Sequence, residues 1–182
     1  MKSSSQRGFT LIELVTVIVI LAVLSAFALP RFANLKQSSR LAVLQGIQGS
    51  MRSAISITRV NALANGLTVL PANPGNGSQQ NSHLIQMEGF SVEVDWRNLC
   101  PESLGERGDA KDMYHFINLS EDNLTENSVH TLSSNIQVWY NNQYTVVGYD
   151  IPSNGDRGPG CYILYDSFGD PQCTLEMFTN DC

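Results

Sequence analysis

The chain has 182 residues, 42% of them hydrophobic, with 17 acids against 11 bases and a formal net charge of −6. That length gives one domain with an appendage and enough chain for a real core. The acidic balance excludes a broad phosphate-binding face, so no nucleic acid is expected as a partner.

The averages conceal a segregation along the chain. Residues 1–8 form a short leader made basic by Lys2 and Arg7. From Phe9 to Leu29 there is a single charge, Glu13. At about 1.5 Å per residue this run matches the ~30 Å hydrocarbon core of a bilayer. In lipid, a helix is the single-segment solution that satisfies its own backbone, despite the β-branched run Val17–Ile20. A lone carboxylate in such a segment is costly and needs a partner. Two cleavage readings follow. An ordinary signal peptide would be cut after Ala26-Phe27-Ala28, which fits the small-x-small rule. Alternatively the cut falls after Gly8 and the apolar run stays as an anchor. Glu13 favours the second, since a discarded segment gains nothing from an acid.

Residues 30–65 hold Arg31, Lys36, Arg40, Arg52 and Arg59 and no acid. Pro30 predicts a kink or local break around 26–30. Beyond it Leu44, Ile47, Met51, Ala54, Ile55 and Ala62 recur at three- and four-residue steps, the stripe of an amphipathic helix that Asn65-Gly66 ends.

Residues 66–182 carry 16 acids and four bases, and all four cysteines: Cys100, Cys161, Cys173 and Cys182. An even cysteine count behind an export signal predicts two disulfides in an oxidising compartment. Three pairings are open. The favoured one, Cys173–Cys182 with Cys100–Cys161, ties down the last residue. Residues 71–82 read as an exposed loop, which the family resemblance given below implies is a candidate contact region. Phe90, Val92, Val94 and Trp96 alternate with polar residues as a half-buried strand. Residues 113–119 predict a short helix or strand. Residues 136–147 predict one hairpin and 161–178 a second. The fold class is therefore α+β, a long N-terminal helix packed on an antiparallel sheet of four or five strands. One face of the sheet needs covering, and the helix covers it.

No catalytic constellation or phosphate loop is present, so no enzyme activity and no cofactor are expected. His83, His115 and His130 lack ligand spacing. Asp150, Asn154 and Asp156 form the most calcium-like patch, yet the spacing departs from an EF-hand and lacks the closing glutamate, so no metal is assigned.

The stretch Gly8-Phe9-Thr10-Leu11-Ile12-Glu13-Leu14 resembles the prepilin cleavage and methylation motif of type IV pilins and type II secretion pseudopilins. Pro30-Arg31-Phe32-Ala33-Asn34-Leu35 and Leu44-Gln45-Gly46-Ile47-Gln48-Gly49 further resemble the mannose-sensitive haemagglutinin (MSHA) pilins. The resemblance implies that a prepilin peptidase cuts after Gly8 and methylates the new N-terminus at Phe9. Glu13 would neutralise the Phe9 amine of a neighbouring subunit, and Pro30 would be the kinking proline. Implied partners are other copies or other pilins, the peptidase, an inner-membrane assembly platform and the inner membrane itself. The head would be periplasmic before assembly, and the subunit would then join an extracellular fibre for attachment. The alternatives are a secretion pseudopilin, or a secreted binding or enzymatic domain.

Overall fold

The computed structural model describes residues 8–74, 83–106, 109–117, 119, 124–132 and 135–182, without the side chains of 33 and 34. The leader before Gly8 and most of the predicted contact loop, residues 75–82, lie outside them. Helix α1 runs Leu11–Ala64. The chain divides into two compact units, residues 1–39 and 40–182.

In the first unit, α1 continues through Pro30 with no break in the helix. Proline removes one donor, but a helix tolerates the loss where the rest of the ladder holds. Side chains from Leu11 to Leu29 are exposed around the whole circumference, Ala28 alone being half-buried.

In the second unit, the predicted stripe is the buried face of α1. Leu44, Ile47, Met51 and Ala54 pack with Val138, Tyr140, Val147, Ile163 and Tyr165 of the sheet. Thr58 is fully buried on the same face, a position the apolar pattern passes over. The helix closes with a Schellman turn. Gly66, at φ +80, gives its N–H to Leu63 O, and Leu67 N–H bonds Ala62 O, both at 3.0 Å.

Five antiparallel strands follow one another across the main sheet: β3 (His130–Thr131), β4 (Gln137–Tyr140), β5 (Tyr144–Gly148), β6 (Cys161–Asp166) and β7 (Thr174–Thr179). Both predicted hairpins are present. A separate hairpin, β1 (Leu84–Met87) with β2 (Phe90–Glu93), packs Ile85 and Val92 against Ala62 and Leu99. The short helix α2 is Met113–Phe116.

Two expectations change. The sheet needs cover on both faces, because its central strands are apolar on both. Trp139, Val146, Tyr162 and Leu164 form a second cluster with Ile151 and Phe178. Residues 151–160 help cover it. Gly155 lies against the Trp139 ring at φ +73, where a Cβ would sit 2.6 Å from Cζ3. The strand at 90–96 is not half-buried either: Ser91, Glu93 and Asp95 are as inaccessible as Val92 and Val94.

The disulfides are Cys100–Cys173 and Cys161–Cys182, which corrects the expected pairing. The β6–β7 hairpin explains why. Cys173 precedes β7 and Cys182 follows it, so the six extended residues of β7, at about 3.3 Å each, hold them far apart. Antiparallel pairing instead sets Cys161 opposite Thr179, beside the chain end. At the other end, Asn98 donates to Ser167 O at 2.8 Å and Gly169 O at 2.7 Å, which brings Cys100 alongside Cys173.

Candidate functional site

The residues expected to be processed lie at the head of α1. Gly8 and Phe9 precede the helix and are exposed, Phe9 at 85%. Thr10 and Glu13 then form a reciprocal N-cap. The Thr10 N–H and hydroxyl both donate to Glu13 Oε2, at 2.8 and 2.7 Å, and Glu13 N–H donates to Thr10 Oγ1 at 3.3 Å. This Thr-x-x-Glu capping box satisfies helix-end donors that lipid could not. The Thr-x-x-Glu spacing that forms it is present in the sequence, although the partner expected there for Glu13 is another subunit. Further along, Thr16 and Ser25 return their hydroxyls to carbonyls one turn back, at 2.9 Å to Ile12 O and 2.7 Å to Leu21 O. The segment therefore presents little unsatisfied polarity. By length and composition, α1 is the one helix among the described residues able to cross a membrane.

The calcium-like patch is not assembled. Asp150 pairs with Arg40 at 3.4 Å, and Asn154 hydrogen-bonds Asp156. The histidines stay apart: His83 is buried, His115 lies beside Asp112, and His130 bonds to Thr125.

A different acidic group does come together, and sequence reasoning missed it. An antiparallel bridge joins Val94 to Pro101, and Glu102 N–H bonds Glu93 O at 2.9 Å. This sets Glu93 and Glu102 opposite each other on one face, with Asp95 next to them. Glu102 is buried, and its carboxyl is pushed up to about 9 by burial and then by the charges of Glu93, Asp95 and Glu106. Burial also raises Asp95, against the pull of Arg97, whose guanidinium lies 2.5 Å from Asp95 Oδ2. The signal was present as Glu93, Asp95, Glu102 and Glu106, but the alternation with apolar residues made the first two look solvated.

Comparison with known proteins addresses the first unit most directly. The family described as "Prokaryotic N-terminal methylation motif" matches residues 3–29. The chain carries a prokaryotic N-terminal methylation motif. It is 40% identical over 79 residues to the type IV narrow pilus major component PilA5 of Thermus thermophilus, covering 42% of this chain and 66% of that one. It is 42% identical over 52 residues to the type IV major fimbrial protein FimA of Dichelobacter nodosus, covering 29% of this chain and 33% of the relative. The chain thus spans just under two thirds of the first relative and about a third of the second. No solved structure matches. The motif and these relatives together support the type IV pilin family, and the α+β arrangement of long helix and antiparallel sheets is pilin-like.

Proposed function

We propose that this protein is the structural subunit of a type IV pilus-like fibre, made as a precursor anchored in the inner membrane by residues 9–29 with its head in the periplasm. The observation that carries the reading is the methylation motif at residues 3–29 on a helix end whose side chains are exposed. A solvent-exposed helix apolar all round is not stable in water, so lipid or other helices must surround it. A prepilin peptidase cuts between Gly8 and Phe9 and methylates the Phe9 amine. An assembly platform then moves the subunit into the fibre.

Both hydrogen bonds from Thr10 fall on one oxygen of Glu13, Oε2. That leaves Oε1 to meet the ammonium of a neighbour's Phe9. In a packed bundle each charge alone is unfavourable and the pair is not, so the contact sets register more than strength. The resemblance of 30–35 and 44–49 to MSHA pilins supports an attachment fibre of that branch. The test is mass spectrometry of purified surface fibres. The expected mature chain begins at N-methylated Phe9 and carries both disulfides. A chain starting at Leu29 overturns the reading.

A further inference from the structure

Just past the apolar run, four side chains of α1 stand on one side of the helix. Arg31, Leu35, Phe32 and Lys36 fall within about 140° of its circumference, the two apolar groups between the two cations. All four are exposed, Phe32 at 67% and Leu35 at 63%. Arg31 and Lys36 make no ion pair among the described residues, and residues 30–65 hold no acid that could supply one from a neighbouring turn. Arg40, one turn on from Lys36, is by contrast committed, at 3.4 Å from Asp150 and over the Tyr149 ring.

The depth of these groups follows from the span. With residues 9–29 in the hydrocarbon, Arg31 and Lys36 lie about 3 and 10 Å beyond Leu29. Lipid headgroups occupy about 5–8 Å outside each face of that core. Helical side chains lean toward the N-terminus, here toward the bilayer, so the Lys36 ammonium reaches back to the headgroups while its stem covers apolar surface.

The order of charges along the chain is an independent observation. Segments flanking a span ordinarily carry their excess of Lys and Arg on the cytoplasmic side. Here Lys2 and Arg7 lie in the leader, which cleavage after Gly8 removes, while Arg31, Lys36 and Arg40 follow the span on the head side. Two cations that oppose the usual bias and have no carboxylate partner need a partner outside the chain. The anion found at that depth is a lipid phosphate, and a guanidinium or ammonium suits it.

We propose that Arg31 and Lys36 bind the phosphates of anionic lipid headgroups on the head side of the membrane, with Phe32 and Leu35 seated between them at the edge of the hydrocarbon. The contact fixes how deeply α1 sits, and it must break when the subunit leaves the bilayer. It rests on the reading of residues 9–29 as an anchor.

Proteoliposomes of the full-length chain test it, with photoactivatable phosphatidylglycerol or phosphatidylcholine of the same acyl chains as trace probes in a phosphatidylcholine bilayer. A cation at the membrane surface contributes about fivefold in attraction to anionic lipid. At about 0.1 M salt, phosphatidylglycerol should cross-link at least about fivefold more than phosphatidylcholine, and about 1 M salt should remove most of the excess. Arg31→Gln/Lys36→Gln should lower the ratio at least about threefold, whereas Arg52→Gln/Arg59→Gln, further along α1, should keep it. Equal cross-linking of the two lipids by the wild type overturns the proposal. So does a wild-type ratio in Arg31→Gln/Lys36→Gln, and loss of fibres from that variant would then assign the two cations to the acidic heads of neighbouring copies. Cross-linking of neither lipid overturns the anchor itself, and the lipid contact with it.

Discussion

Thr10 and Glu13 close the first turn of α1 on each other, so the one acid of the apolar segment has a partner in its own chain before any second subunit arrives. The carboxylate therefore has two separable roles, to cap the helix and to carry charge. Substitution can divide them. Gln serves in a capping box without charge, Ala does neither, and Thr10→Ala removes the hydroxyl alone. If pairing with a neighbour's amine drives assembly, Glu13→Gln should lose fibres as completely as Glu13→Ala. Thr10→Ala should keep fibre yield within about twofold, because backbone Thr10 N–H still reaches Oε2. Sheared-fibre yield at equal precursor level measures this. Normal fibres from Glu13→Gln would make the residue a helix cap only.

The disulfides differ in the loop each closes, with sequence separations of 73 and 21 residues. On the chain-entropy argument the longer is worth about 4 kcal/mol and the shorter about 3 kcal/mol. Cys100→Ser/Cys173→Ser should therefore destabilise the protein somewhat more than Cys161→Ser/Cys182→Ser, by denaturant midpoint at constant m. Proteolysis without reduction should release cross-linked peptides of those two pairings. Recovery of Cys173 joined to Cys182 would contradict the hairpin register.

Met51 is fully buried between α1 and the sheet, and Ile57, six residues on, is 52% exposed. Met51→Ala should cost about 2–5 kcal/mol, while Ile57→Ala should stay near ±0.5 kcal/mol. Equilibrium unfolding followed by near-UV circular dichroism separates them. Equal costs would place the helix's buried face elsewhere.

Gly155 packs on Trp139 at a positive φ. Gly155→Ala meets both backbone strain and a ring that sits deep in the second cluster, and should cost about 1–3 kcal/mol. A shift in Trp139 fluorescence should accompany it. An unchanged Tm would mean that residues 151–160 contribute little to that face.

The parts legible in the sequence were those where period and burial agree. The stripe Leu44–Ile47–Met51–Ala54 and the hairpins over 137–148 and 161–179 follow from spacing alone, and Gly66 from its turn chemistry. What failed was non-local. Cysteine pairing depends on which ends of β6 and β7 meet, which composition does not encode. The second face of the sheet was missed because Trp139, Val146 and Tyr162 alternate with equally apolar neighbours. Glu93 and Asp95 were missed because alternation with valine signals a solvated face, and only the bridge from Val94 to Pro101 buries them.

That buried face has a pH signature. Glu102 has its carboxyl near 9 in the folded chain, against 4.5 for the ordinary group. The folded state thus holds a proton that the unfolded chain releases above about 4.5, and the sign is fixed. Stability contributed by this group is greatest below that value, falls as pH rises, and levels off above about 9. The slope from one such group approaches about 1.4 kcal/mol per pH unit at most, less where neighbouring carboxylates share the proton. Glu102→Gln cannot ionise, so its stability should fall less steeply between pH 5 and 9, and it should exceed the wild type at the alkaline end. Denaturant midpoints across that range measure the difference. Parallel curves for the two proteins would show that Glu102 ionises without cost, and that water already reaches it.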